Sequence, residues 1–155
     1  MSENKEIFEN KIISWSKRFV GKLKNYELIE IIKSKNLSKI NSENIKKFQN
    51  YGNWDFTPDF AIVIKNTNQK EEEELELILI NREQKSLGLK PIGEIMCYNK
   101  VVKPLYSFLI SEKGHSDEVS YFMINENFRS NLMNYNEKSL VIFSFNDNDE
   151  FVKEE

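Results

Sequence analysis

Apolar residues in the first third of the chain recur at the three- and four-residue spacing of amphipathic helices. They include Ile7, Phe8, Ile12, Trp15 and Phe19, with lysines and glutamates between them. This spacing predicts one long helix over residues 5–24 and a second, shorter helix over 26–34. Ser42 precedes "ENIKKFQ" and is a helix-capping residue type, so a third helix is predicted over 42–50.

The pattern changes after residue 53 to compact runs rich in β-branched residues. The runs "DFAIVIKN" and "LELILIN" predict two adjacent strands, which we expect to be antiparallel. A helix is predicted from Pro91 to Lys100, because Pro fits a first helical turn and Pro104 stands beyond the end. Two more strands are predicted at 105–111 and 139–147, separated by a helical segment that asparagines break at least once.

This order of elements predicts a mixed sheet. A helix between the second and third predicted strands requires a parallel crossover, whereas the first two strands form a hairpin. The expected class is therefore α/β (α+β), with about four strands flanked by helices. The 155 residues fit a single domain. Within it we expect a helical region over 1–50, an αβ core over 51–147 and a mobile tail over 148–155.

Composition narrows the class of protein. No apolar stretch approaches the roughly 20 residues of a membrane span, and the N-terminus has no apolar signal core. The single cysteine, Cys97, excludes an internal disulfide and is expected to be a buried thiol. These features predict an intracellular, cytoplasmic protein that does not contact a membrane. The single histidine, His115, leaves zinc sites and Ser–His catalysis almost without their usual side chains.

Charge is unevenly distributed along the chain. Residues 1–50 hold 11 Lys and Arg against 6 acids, 51–105 hold 7 against 9, and 106–155 hold 4 against 10. Local fields attract charged partners more than the net charge of −3 does. The basic first third therefore suits contacts with nucleic acid phosphates, and a solvated lysine-rich helix face explains it equally well.

The remaining candidate chemistry uses carboxylates. Five glycines provide no pair spaced for a phosphate-binding loop. Mg²⁺ needs no histidine, since one or two carboxylates hold it together with waters and substrate phosphates. Pro58 and Asp59 open the first predicted strand, and Glu83 and Lys85 end the second. Alternate side chains share a face, so Glu83 and Lys85 would project to one side if the strand continued through them.

This arrangement, with the helix and the strand "LYSFLIS" that follow, resembles the PD-(D/E)xK nuclease superfamily and its restriction-endonuclease-like fold. The resemblance covers about residues 50–111. It implies that an acid opening the second core strand and an acid on the third bind Mg²⁺ (or Mn²⁺), and that a nearby lysine activates the attacking water. It assigns Asp59, Glu83 and Lys85 as catalytic residues, with Asp59 and Glu83 as the metal ligands.

The resemblance also implies that a helix with a Gln-x-x-x-Tyr type pattern packs near the site. Glu94 and Tyr98 stand at the corresponding place, and exposure is the favoured interpretation of Glu94. Core packing is favoured for Trp15. Trp54 is balanced between core packing and stacking on a nucleic acid base.

Three functional hypotheses follow. The usual acid and lysine positions of the third strand fall on Leu79 and Asn81. Either the site has moved to Glu83 and Lys85, or the fold is kept and catalysis is lost. The first hypothesis is a Mg²⁺-dependent nuclease that hydrolyses phosphodiester bonds, with DNA as the preferred partner and homodimerisation left open. The alternative is a catalytically inactive nuclease-fold protein that binds nucleic acid or a protein partner. The third is a small α/β interaction module with no role in nucleic acid binding.

Overall fold

The computed structural model describes residues 2–68, 74–111, 116–145 and 151–153. The helices are α1 (Ser2–Lys22), α2 (Glu43–Lys46), α3 (Leu89–Val102), α4 (Asp117–Ile124) and α5 (Glu126–Met133), with a 3-10 turn over Tyr51–Asn53. The strands are β1 (Tyr26–Lys33), β2 (Phe60–Asn66), β3 (Leu75–Glu83), β4 (Tyr106–Ser111), β5 (Asn134–Tyr135), β6 (Lys138–Ser139), β7 (Val141–Phe145) and β8 (Phe151–Lys153). The predicted mixed α/β class is confirmed.

The main sheet has six strands in the order β1-β2-β3-β4-β7-β8, two more than the predicted four. β1, β2 and β3 form an antiparallel meander. The pairs β3/β4 and β4/β7 are parallel, and β8 pairs antiparallel with β7. The predicted hairpin and the crossover through α3 are therefore both confirmed. β5 and β6 form a separate small hairpin.

The long helix α1 covers one face of the sheet. Its buried residues Phe8, Ile12 and Val20 share a core cluster with the inward side chains of β2, β3 and β4. Trp15 packs against this cluster and meets the ring of Phe108 edge-on at 5.2 Å between centroids. The predicted helix and the core role of Trp15 are confirmed. Burial of this apolar stripe contributes more to the stability of α1 than helix propensity does.

The second predicted helix, over 26–34, is wrong, since this segment forms β1. Its pairing with β2 contains a register shift between Leu28 and Glu30. The extra residue places Leu28 and Ile31 against the same core cluster, although alternation would have placed them on opposite faces. A β-bulge thereby produced the three-residue spacing of a helix. The β-branched Ile29, Ile31 and Ile32 are the residues that favour a strand.

The third predicted helix, over 42–50, begins at the expected place and ends early. The Ser42 hydroxyl accepts a hydrogen bond from the Ile45 N–H at 3.3 Å, as an N-cap does, and donates to Oε1 of Glu30 at 2.6 Å. The helix stops at Lys46, because the next residues turn to bury Trp54 beside Phe48.

The other face of the sheet carries α3, α4 and α5. The buried residues of α3 are Ile92, Met96, Asn99 and Val102. Of these, Ile92 and Met96 pack with Leu109 of β4 and Ile142 of β7. Asn125 ends α4 and caps α5, so the predicted break at an asparagine is confirmed.

Two further predictions concern the tail of the chain and contact with a membrane, and the structure addresses each of them only over the described residues. Within the tail predicted to be mobile, the structure describes 151–153, which pair as β8; its mobility stays a prediction. Among the described residues, no helix is long and apolar enough to cross a membrane.

Candidate functional site

Asp59 lies immediately before β2, at one end of the antiparallel hairpin. In this hairpin Phe60 is paired with Ile80 and Ala61 with Leu79. Continuing the register by one residue places Asp59 opposite Asn81. Because β1 was missed from the sequence, the strand that Asp59 opens is the second of the sheet and not the first. The Pro58–Asp59 pair therefore immediately precedes the second strand.

The carboxylate of Asp59 is half-buried and bound to the backbone of β3. Its Oδ2 accepts a hydrogen bond from the Arg82 N–H at 2.6 Å. Burial raises the pKa of the Asp59 carboxyl, and the negative charge of Glu83 raises it further. The Arg82 N–H, the Arg82 guanidinium and Lys5 of α1 act in the opposite direction, and the net pKa lies above its ordinary value. Asp59 is therefore an acid whose ionised form a cation would favour.

Glu83 is the last residue of β3. It is half-buried, and its Oε1 accepts a hydrogen bond from the Lys85 N–H at 3.0 Å. Its charge acts on Asp59, so the two predicted metal ligands lie at the same end of neighbouring strands. Neither Oδ1 of Asp59 nor Oε2 of Glu83 is hydrogen-bonded within the part of the chain that the structure describes.

Lys85 lies beyond the strand. β3 ends at Glu83, and Lys85 occupies an exposed bend two residues later. The strand does not continue through Lys85, so the condition under which Glu83 and Lys85 would share a face of the strand is not met. The side chain of Glu83 accepts a hydrogen bond from the backbone N–H of Lys85. This bond stabilises a turn and does not extend the strand.

Leu79 and Asn81 differ sharply in their surroundings. Leu79 is 1% exposed and belongs to a buried cluster with Ala61, Val63 and Leu77. It is a core residue and supports the sheet. Asn81 is half-buried and, together with Leu79, lines a cleft between β3 and α3.

This cleft has a volume of about 260 Å³. It is lined by Phe56, Thr57, Leu79, Asn81, Glu94, Ile95, Tyr98 and Asn99. Glu94 is exposed on α3, as expected, and Tyr98 stacks on Phe56 with 4.1 Å between ring centroids. Thr57 stands two residues before Asp59, and Asn81 lies opposite Asp59 in the register, so the cleft lies at the same end of β2 and β3 as Asp59, which is not itself a lining residue.

Asn99 is a residue that the sequence interpretation missed. It is fully buried, its Nδ2 donates to Sδ of Met96 at 3.6 Å, and its Oδ1 has no hydrogen-bond partner. A buried oxygen without a donor costs about 1–3 kcal/mol, so it marks a place where a ligand could supply the donor. The signal was present in the sequence, because Asn99 falls on the apolar stripe of Ile92 and Met96.

Other predicted features have structural roles. Trp54 is 3% exposed and packs in the core with Phe48, so it does not present a face to a base. Cys97 is exposed, and the prediction of a buried thiol is wrong. The reason is its position on α3, where residues 92, 96 and 99 face the sheet and residue 97 faces away. His115 lies outside the described residues.

The carboxylates of Asp59 and Glu83 suit a hard cation such as Mg²⁺. Over the described ranges no group of three or more His, Cys, Asp or Glu side chains is placed to hold a metal. Two carboxylates completed by waters and substrate phosphates are the usual protein contribution to a Mg²⁺ site. Asp59 and Glu83 fit this arrangement, because each has one oxygen fixed by a backbone N–H and one oxygen left over.

Comparison with known proteins found no significant match among family models, curated proteins or solved structures.

Proposed function

We propose that this protein is a Mg²⁺-dependent nuclease of the PD-(D/E)xK type that hydrolyses phosphodiester bonds, with DNA as its substrate. One observation carries the proposal. Asp59 immediately precedes the second strand of the sheet and Glu83 ends the adjacent third strand, so both lie at the same end of paired strands and the charge of Glu83 acts on Asp59. This supports the two metal-binding positions that the resemblance implies. The helix that follows, α3, also borders this end of the site through Glu94 and Tyr98.

The roles of the residues follow from their positions. Asp59 and Glu83 would hold the metal through Oδ1 and Oε2, while the Arg82 N–H keeps the Asp59 carboxylate oriented. A bound Mg²⁺ supplies positive charge to the phosphate and lowers the pKa of water. Lys85 would stabilise the negative charge that develops on the attacked phosphate. Lys5, whose charge already acts on Asp59, adds positive potential from α1 for the nucleic acid backbone.

Cleavage assays with matched variants test this proposal. Plasmid DNA and short single-stranded, duplex and branched DNAs are incubated with Mg²⁺ or Mn²⁺, and with EDTA as the metal-free control. We expect Asp59→Asn and Glu83→Gln to lower the cleavage rate by more than about 100-fold, since even outer partners of a metal site cost about 10- to 100-fold. The control is Asp55→Asn, an exposed acid that accepts a hydrogen bond from Asn36 and should leave the rate unchanged. Cleavage that survives both site substitutions would overturn the assignment.

A catalytically inactive nuclease-fold protein that binds nucleic acid or a protein partner is the second candidate function. Its supporting observations are the burial of Leu79 at the usual acid position and the placement of Lys85 outside β3. This function predicts salt-sensitive DNA binding without cleavage, and no Mg²⁺ or Mn²⁺ binding by calorimetry. Metal binding that depends on Asp59 and Glu83 would contradict it.

A further inference from the structure

We infer that the cleft between β3 and α3 binds a single unstacked nucleobase of the nucleic acid substrate, with Asn99 as the residue that reads it. This inference rests on the proposed nuclease function, because it names the part of the substrate that sits beside Asp59. The cleft is the space lined by Phe56, Thr57, Leu79, Asn81, Glu94, Ile95, Tyr98 and Asn99.

The size of the cleft favours a small ligand. Its volume of about 260 Å³ lies just below the roughly 300–1,000 Å³ of sites for drug-sized ligands. One planar ring system therefore fits, and a longer ligand would have to extend out of the cleft. The cleft also lies at the same end of β2 and β3 as Asp59, so a nucleotide near the cleaved phosphate could place its base there.

The charge of the lining favours a base over a phosphate. None of the eight lining residues is a lysine or arginine, and Glu94 contributes a carboxylate. A phosphate would meet no cation there. Asn81, Asn99 and Glu94 instead provide amide and carboxylate groups, which pair with the amino groups and ring nitrogens of base edges. Leu79, Ile95 and the aromatic ring of Tyr98 provide the apolar contact that a flat ring needs.

Asn99 supplies the independent observation. Its side chain is fully buried in a cleft-lining position, and its Oδ1 has no donor. The amide nitrogen is already engaged with Sδ of Met96, so the remaining capacity of Asn99 is that of an acceptor. Asn99 is 0% exposed, so the side chains over its Oδ1 must shift for a base to reach it; an amino or imino N–H of the base would then satisfy this oxygen, and bases lacking a donor at that edge would bind more weakly.

The test uses single-stranded DNA carrying one 2-aminopurine, mixed with the full chain in EDTA so that binding is measured without cleavage. We expect a change in 2-aminopurine fluorescence with the wild-type protein and a smaller change when the same base is held in a duplex. Asn99→Leu should weaken binding by about 5-fold or more, because the acceptor is lost. Glu94→Gln, an exposed substitution that cannot disturb the core, should also weaken binding. The matched control is Cys97→Ser, which lies on α3 outside the cleft lining and should bind as the wild type does.

The outcomes separate this inference from the proposed function. Cleavage with Mg²⁺ together with equal probe binding by wild type, Asn99→Leu and Glu94→Gln would overturn the base site and leave the nuclease proposal standing. Probe binding that depends on Asn99 and Glu94 in a protein that never cleaves would support the base site and overturn the nuclease proposal. Calorimetry that finds Mg²⁺ binding lost in Asn99→Leu but retained in Asp59→Asn would show a cation in the cleft, and would overturn the base site.

Discussion

The backbone N–H of Arg82 donates a 2.6 Å hydrogen bond to Oδ2 of Asp59, so the carboxylate that opens β2 is held by the main chain of β3. The guanidinium of Arg82 lies 4.0 Å from the centroid of the Phe8 ring of α1, and its charge also acts on Asp59. One residue therefore connects the candidate site with α1. The side chain of Asp59 can be changed without removing the N–H that orients it.

Asp59→Asn should stabilise the metal-free protein at pH 7. Burial and Glu83 raise the pKa of Asp59 in the folded state above its ordinary value of 3.8, so the native state binds this proton more tightly than the unfolded state does. The resulting stabilisation is complete below pH 3.8 and is lost as the pH rises through the raised pKa. The advantage of the variant should therefore shrink as the pH falls from 7 to 4. Urea unfolding at each pH in EDTA measures it, and a variant less stable than the wild type at pH 7 would contradict it.

Mg²⁺ should stabilise the wild-type protein and leave Asp59→Asn unaffected. A ligand that binds only the folded state contributes about 2.7 kcal/mol at 100 times its dissociation constant. The measurement is the melting temperature with Mg²⁺ and with EDTA, at equal ionic strength. Asp55→Asn, exposed and outside the site, serves as the control and should respond as the wild type does. Equal shifts in all three proteins would mean that the ion acts elsewhere.

Leu79→Ala should lower the free energy of unfolding by about 2–5 kcal/mol, the usual cost of a cavity in a packed core. Leu79 is 1% exposed and packs with Ala61, Val63 and Leu77. Denaturant unfolding monitored by tryptophan fluorescence measures the loss. The control is Ile124→Ala on α4, where the side chain is 86% exposed and its removal should have little effect. A loss below about 1 kcal/mol at Leu79 would argue against its place in the core.

Ser42→Ala should destabilise the protein by about 0.5–2 kcal/mol, the range for lost N-caps. The hydroxyl of Ser42 caps α2 through Ile45 and also donates to Glu30 of β1, so its loss affects two elements. Ser14→Ala provides the comparison, since Ser14 is exposed within α1 and alanine favours a helix there. Thermal unfolding of the two variants checks the difference, and equal melting temperatures would contradict it.

Cys97 should react with a thiol reagent in the native protein. Its exposed position on α3 predicts one equivalent of rapid reaction without denaturant. Absorbance at the wavelength of the released chromophore gives the rate, and Cys97→Ser should give none. A thiol that reacts only after unfolding would restore the interpretation that it is buried.

The parts of the fold that were predicted correctly follow from local patterns. The apolar stripe of α1, the β-branched runs of β2 and β3, and the proline positions around α3 each act within a few neighbouring residues. The strand β1 was not predictable in the same way, because the shift between Leu28 and Glu30 exists only when β2 pairs with it. The early end of α2 depends likewise on the burial of Trp54, which is a tertiary contact.

The candidate site likewise has features that follow from local sequence patterns and features that depend on tertiary contacts. The sequence predicted Asp59 and Glu83 as metal ligands, and their role stays a prediction; the structure places both at the same end of two paired strands. The sequence did not show where β3 ends, because the hydrogen bond between Glu83 and the Lys85 N–H is formed by a side chain and not by strand pairing. Asn99 was overlooked although it falls on the apolar stripe of α3; the packing of α3 against the sheet adds that its Oδ1 has no hydrogen-bond partner.

Asn99 also implies that this chain is less stable than its fold permits. An apolar side chain of similar size would remove a buried oxygen that has no donor, and such replacements are often neutral or stabilising. The Asn99→Leu variant should then melt at a temperature no lower than that of the wild type, although it should bind the nucleobase more weakly. At a position where the natural residue lowers the stability of the protein, the property retained at that expense can be measured by comparing the two variants. Asn99 is one such position among the described residues, which also hold buried polar atoms without a hydrogen-bond partner at Ser16, Trp54 and Ser107.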